Sequence, residues 1–193
     1  MLDLVEAECE RIDSRFLEPA CGNGNFLAEV LRRKLNSVDK QHARNRQRWE
    51  RDAILAVSSL YGIDLLGDNI AACRVRMLEI VAAAHDERFG EALPEPAHKA
   101  AAFILKRNIV QGDALTYRTA DGRPIVFSEW SPVNGMLLKR RDFQFGQLLE
   151  HAEMAVGLFS DNGEAVWLPE PVGEFPSCHY LKVAAAEGAD ERP

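Results

Sequence analysis

Apolar positions recur along this chain with two alternating periods. Leu2, Val5, Cys9 and Ile12 fall at three- and four-residue spacing, which predicts an amphipathic helix with acids on its other face. That helix leads into a first strand around Arg15–Leu17. From Asn25 to about Asn36, the residues Phe26, Leu27, Val30, Leu31 and Leu35 form one stripe, which predicts a helix lying on a sheet. Residues 39–60 continue as helix, polar and basic at first and apolar from Ala53 to Val57. Leu60-Tyr61-Gly62-Ile63-Asp64-Leu65-Leu66 reads as a short buried strand ending in a carboxylate. Asp68 and Asn69 offer N-caps for a helix through Ile70, Ala71, Cys73, Val75, Leu78 and Ile80. Gly90, Pro94 and Pro96 mark a polar loop over 86–98, and Ala100–Lys106 reads as a short helix. Asn108–Leu115 predicts a third strand with Asp113 just past its end.

Beyond residue 115 the periodicity is weaker. Pro124–Phe127 reads as a strand, Ser131–Gly135 as a surface turn, and Met136–Phe143 as a polar, basic link. Phe145–Phe159 predicts a helix, Gly163–Pro169 a last strand, and 184–193 a disordered tail. Strands alternating with helices define an α/β class with a parallel-dominated sheet and helices on both faces. The expected organisation is one domain over 1–183.

The chemistry concentrates where the first strand meets its helix, at Glu18-Pro19-Ala20-Cys21-Gly22-Asn23-Gly24-Asn25-Phe26-Leu27. Gly22 and Gly24 allow positive φ and close approach of a ligand to the backbone. The following helix presents free N–H groups in its first turn. Two glycines also suit an ordinary tight turn between strand and helix. Asp64 ends the second strand, where an acid in nucleotide-binding α/β folds accepts hydrogen bonds from ribose; it could equally cap the next helix. Its distance from the glycine turn exceeds the usual interval of about 20 residues, so a helical insertion at 37–58 is implied.

Composition narrows the picture further. With 193 residues, 47% apolar and 27% charged, the chain is an ordinary globular one with enough length for a core. No apolar run reaches membrane-spanning length. The acidic N-terminus lacks the basic start of a secretory signal, so cytoplasm is the expected location. Cys9, Cys21, Cys73 and Cys178 are far apart and form no metal-ligand pair; reduced thiols are expected, with Cys21 packed under the loop. His42, His85, His98, His151 and His179 are scattered, and no metal is expected. A net charge of −7 does not point to a chain that grips nucleic acid unaided. The basic stretch over 32–51 (Arg32, Arg33, Lys34, Lys40, Arg44, Arg46, Arg48, Arg51) could contact phosphates or form a solvated helix face.

Glu-Pro-Ala-Cys-Gly-Asn-Gly-Asn-Phe-Leu closely resembles the S-adenosylmethionine loop of the adenine-N6 DNA methyltransferases of restriction-modification systems, whose pattern is Asp/Glu-Pro-Ala-Cys-Gly-x-Gly-x-Phe-Leu. Gly62-Ile63-Asp64 resembles the family's second motif, and Gly112-Asp113-Ala114-Leu115 its third. The resemblance implies a Rossmann-like methyltransferase fold and S-adenosylmethionine as cofactor. It implies that Glu18, Pro19, Ala20, Gly22, Gly24 and Phe26 surround the methionine end. Asp64 and Leu65 would serve the ribose side, and Asp113 and Ala114 the adenine. It covers roughly the first 115 residues, the cofactor half.

The family also grips the adenine amino group with an Asp/Asn/Ser-Pro-Pro-Tyr/Phe tetrapeptide after the fourth strand, acting on a base flipped from the duplex. Here the nearest approach is Ser131-Pro132-Val133, which lacks the second proline and the aromatic. Ser131 and Pro132 are therefore the catalytic candidates. The expected activity is DNA adenine-N6 methylation, with DNA contact needing a partner chain or recognition subunit. The alternative is a catalytically inactive or partner-dependent remnant of such an enzyme.

Overall fold

The computed structural model describes residues 6–149 and 170–185. The elements expected for 150–159 and 163–169, and most of the expected tail, lie outside the described residues. The chain runs α1 (Glu6–Glu10), β1 (Phe16–Glu18), α2 (Asn25–His42), α3 (Arg46–Ser58), β2 (Leu60–Asp64), α4 (Gly67–Phe89), α5 (Glu95–Asn108) and β3 (Ile109–Asp113). Then follow β4 (Arg118–Thr119), β5 (Val126–Pro132), β6 (Leu137–Gln144), β7 (Gly173–Glu174), β8 (Cys178–His179) and a 3-10 turn, Tyr180–Lys182. A helical turn covers 145–149.

The central sheet has the order β1-β2-β3-β4. β1 and β3 flank β2 in parallel, and the short β4 returns antiparallel to β3. The architecture is thus α/β with a mostly parallel mixed sheet. Because β1, β2 and β3 advance across the sheet in one direction, right-handed crossovers place all their helices on one side. The packing agrees. Residues of α2, α3, α4 and α5 share one large core with Leu60 and Ile109. Tyr61 and Ile63, which point to the opposite face, belong to a smaller core with Ile125, Phe127 and Phe145. Helices were expected on both faces. Among the described residues the second face is instead covered by the antiparallel β5–β6 hairpin and the turn at 145–149.

The insertion between β1 and β2 is two helices. α2 runs past Asn36 to His42, and α3 restarts at Asn45, whose side chain accepts the Arg48 N–H as an N-cap. The expected loop at 86–98 is shorter: α4 continues to Phe89, Gly90 closes it with φ +67°, and α5 begins at Glu95 behind Pro94. Met136–Phe143 is not a link but most of β6. Its alternation is hidden because the inward positions include Arg140 and Asp142, both buried.

Those two residues belong to a polar seam that fastens the hairpin to the lower end of the parallel sheet. Ser128 Oγ donates to Asp142 Oδ1 (2.7 Å), Arg140 donates to both Asp142 oxygens (2.8 and 2.6 Å), and Arg107 Nη2 adds a fourth bond (2.8 Å). The Ser128 N–H donates to Asn108 Oδ1, and Asn108 Nδ2 donates to the Ser58 carbonyl. Burial pushes the Asp142 carboxyl up, but Arg140, Ser128 and Arg107 outweigh it and hold the group below the usual carboxylate range. The Arg140 guanidinium lies 4.0 Å from the Phe175 ring centroid, so β7 and its neighbours close the seam.

The entry to β1 is fixed by Lys34, fully buried on α2. Its Nζ donates to the carbonyls of Arg11, Ile12 and Ser14 at 2.8, 3.0 and 2.6 Å. One ammonium thus satisfies three carbonyls that leave α1.

Candidate functional site

The parallel ladder sets where the strand ends fall. Glu18 is opposite Gly62, and Asp64 is opposite Gln111, so Asp113 lies two residues beyond that register on the neighbouring strand. After Glu18 the chain turns back over the end of β2. Pro19 and Ala20 are exposed, and the Cys21 N–H donates to the Ile63 carbonyl (2.9 Å). The Gly24 N–H returns to the Cys21 carbonyl at 2.8 Å. Gly22 and Gly24 have φ of +52° and +83°, the left-handed region expected of them. Gly24 is the N-cap of α2, with no side chain capping its first turn.

The turn and the second strand are joined directly. The Gly22 N–H donates to Asp64 Oδ2 at 2.9 Å. Asp64 Oδ1 accepts the Leu66 N–H (2.9 Å) and Asn69 Nδ2 (3.0 Å). Burial pushes this carboxyl up; the Leu66, Asn69 and Gly22 donors outweigh it and keep the group below its ordinary range. No side chain caps the first turn of α4, whose N-cap falls at Leu66 and not at Asp68 or Asn69; Asp64 meets only the Leu66 N–H and the Asn69 side chain there. A carboxylate offers about four lone-pair directions; three are taken, and Oδ2 keeps one.

On β3, Asp113 Oδ1 accepts the Leu115 N–H at 2.8 Å, a local turn that leaves Oδ2 available. Leu65, Leu66 and Leu115 beside these acids are 66%, 62% and 88% exposed. Three open leucines next to two carboxylates make an amphipathic ledge, apolar on its faces and hydrogen-bond-accepting on its rim. Two expected contacts turn away from it. The Phe26 ring packs on Phe16, centroids 6.4 Å apart, and Ala114 packs against the second core.

Three residues at this edge were not read from the sequence as parts of a site. Gln111 Nε2 donates to the Leu65 carbonyl (3.0 Å) and fills the space above Gly67. Asn69 was legible as a capping residue but not as a partner of Asp64. Arg76, on α4, donates to Asn25 Oδ1 at the start of α2.

Ser131 and Pro132 are elsewhere. They sit at the end of β5 and line a small cleft with Leu55, Ser58, Ser59, Asp13 and Trp130. Ser58 and Ser59 precede β2, so this cleft is at the opposite end of that strand from Asp64. Four residue steps at about 3.3 Å separate the two ends. The structure does not bring the two catalytic candidates to the glycine turn, because the hairpin packs under the sheet instead of extending it. A larger apolar cavity of about 400 Å³, lined by Leu17, Tyr61, Phe127, Phe143, Phe145 and Leu149 among others, opens on the hairpin side. Neither cleft contains the carboxylates at the strand ends.

The basic stretch over 32–51 is largely committed within the chain. Lys34 is buried, Arg33 pairs with Glu29, Lys40 with Glu10, Arg46 with Glu50 and Glu91, and Arg51 with Asp52. Among the described residues no group of three or more His, Cys, Asp or Glu is placed to hold a metal ion, and no helix is long and apolar enough to cross a membrane. Comparison of the chain with known family models, with curated proteins and with solved structures finds no match.

Proposed function

We propose that this chain binds S-adenosylmethionine across the ends of β1, β2 and β3, as the cofactor half of a DNA adenine-N6 methyltransferase-like protein on a Rossmann-like scaffold. The observation that supports the reading is the bond from Gly22 to Asp64, which ties the two strongest motif positions together across 42 residues. Asp113 follows on the next strand. The residues fit the group: a free acceptor position remains on each aspartate, and nothing lies within 4 Å of where a Gly22 side chain would stand. Bound there, the cofactor supplies a methyl group activated on a cationic sulfur.

The chain's own part is to hold and orient. Gly22 and Gly24 let the methionine end approach the backbone. The Glu18 carboxylate attracts its amino group. Asp64 Oδ2 accepts from a ribose hydroxyl, and Asp113 from the adenine amino group. Leu65 and Leu115 offer apolar cover to the base.

Methyl transfer to DNA needs a second grip, on the target amine. Ser131 and Pro132 lie at the other end of β2, and among the described residues no Pro-Pro-aromatic segment stands at the strand ends. This favours the second reading, in which the chain binds cofactor but depends on a partner for transfer, or has lost it. Titration calorimetry with S-adenosylmethionine tests the first step, and transfer of labelled methyl to duplex DNA tests the second. Binding without transfer supports the partner-dependent reading. A folded chain that binds no cofactor refutes both.

A further inference from the structure

The hairpin side of the sheet carries two adjoining cavities that share Arg15 and Tyr61. The larger, about 400 Å³, is an apolar chamber, and its volume falls within the range of small-molecule sites, about 300–1,000 Å³. Leu17 and Tyr61, partners in the β1–β2 register, form one wall. Phe127 meets Tyr61 edge to face with centroids 5.2 Å apart, and Phe145 meets Phe127 in the same way at 5.5 Å. Tyr61 spends its hydroxyl on the Ser128 carbonyl (3.2 Å), which leaves its ring to wall the chamber. The smaller cavity, about 130 Å³, is the cleft of Asp13, Trp130 and Ser131.

The polar groups on these walls have spare capacity of one kind. Glu129 is flanked by Arg15 and, at 2.6 Å, by Arg141. Its side chain is 11% exposed, against 58% and 41% for the two arginines, so the chamber shows two cations to solvent and hides the anion between them. Asp13, the acid of the cleft, lies 3.8 Å from Arg11. Among the described residues two buried side-chain polar atoms make no hydrogen bond: Glu129 Oε2, whose charge Arg141 balances, and Trp130 Nε1. Both residues line these cavities. An indole N–H and a guanidinium can only donate, and a buried donor left without an acceptor is costly. The group that completes this site is therefore an acceptor, and two exposed arginines favour one with negative charge.

We propose that the two cavities form one binding site for a monocarboxylate with an apolar body the size of a medium-length acyl chain. The body fills the chamber between Leu17, Tyr61, Phe127 and Phe145. The carboxylate accepts from the guanidinium groups of Arg15 and Arg141 and from the Trp130 N–H. The site lies away from the strand ends that carry Asp64 and Asp113, and it does not rest on the proposed cofactor.

The experiment titrates the full chain with hexanoate, octanoate and decanoate, and with 1-decanol, by calorimetry. The expected result is a single site whose affinity rises about fourfold per added methylene and which takes decanoate more tightly than 1-decanol. Arg141→Gln weakens decanoate about fivefold and leaves 1-decanol as it was, while Arg141→Lys keeps the preference for the acid. Leu17→Trp fills the chamber and abolishes both ligands, and Leu149→Trp does so from another wall, with circular dichroism showing that each variant is folded. A folded natural chain that takes up no decanoate overturns the proposal, as does binding that both tryptophan variants leave intact. Equal affinity for decanoate and 1-decanol, or equal loss of both in Arg141→Gln, overturns the carboxylate. A chain that binds decanoate and not S-adenosylmethionine leaves this site standing and sinks the cofactor reading alone.

Discussion

The two ends of the parallel sheet are both rich in polar side chains, yet they are built for opposite purposes. At the lower end, Asp142 accepts four bonds from Ser128, Arg140 and Arg107 and is almost wholly buried. Asn108 uses both its oxygen and its amide nitrogen. Asp142 has no acceptor position left to offer a ligand. At the upper end, Asp64 and Asp113 keep acceptor positions, the turn between them and the glycines is open, and three leucines stand exposed. A saturated polar cluster holds a fold together; an unsaturated one beside open apolar surface can bind. Counting polar residues would rank the two ends equally, and only the accounting of lone pairs separates them.

The largest expected effect strikes the saturated end. Asp142→Ala leaves the buried Arg140 guanidinium without its carboxylate and should cost about 3–5 kcal/mol of stability, read from the midpoint of denaturant unfolding. Cofactor affinity of the folded fraction should not change. Gly24→Ala attacks the other end through the backbone. Its positive φ and the 2.6 Å approach to Cys73 predict a loss of about 2–3 kcal/mol, with the cofactor titration abolished.

Asp64→Ala removes the proposed ribose acceptor and the anchor of Gly22 together. We expect about 1–3 kcal/mol of lost cofactor affinity by calorimetry, and an unchanged dissociation constant would refute the assigned role.

Acid should distinguish the ends more gently. The folded-state Asp142 carboxyl is held below its unfolded value near 3.9. Its contribution to stability is therefore complete above the unfolded value and is lost as pH falls through the folded one. Unfolding free energy of the natural chain should drop below about pH 4, and Asp142→Asn should flatten that drop. The smallest effect is a control: Ser131→Ala should shift stability by no more than about 0.5 kcal/mol and leave cofactor binding as it was, since its cleft lies at the wrong end of β2.

Much of the first 115 residues was legible because local signals and tertiary placement agree there. The stripe from Phe26 to Leu35 does bury against the sheet, and the strand ends Glu18, Asp64 and Asp113 do fall at one edge. The α4–α5 junction was misread because a loop-like composition around Gly90 and Pro94 is also what two well-capped helix ends look like. β6 was misread as a link for a plainer reason. Arg140 and Asp142 neutralise each other inside the protein, and a buried ion pair leaves no apolar alternation to detect.

The sequence by itself determined the order of strands and helices as far as β3, the glycine turn with its left-handed backbone, and the acids at the ends of β1, β2 and β3, because each follows from short-range geometry. Tertiary structure decided what faces them. The hairpin packs under the sheet and carries Ser131 and Pro132 away from the turn. The Gly22–Asp64 bond joins residues more than forty positions apart, and no period or propensity along the chain encodes such a contact. It arises when burying two apolar faces forces distant segments into one register.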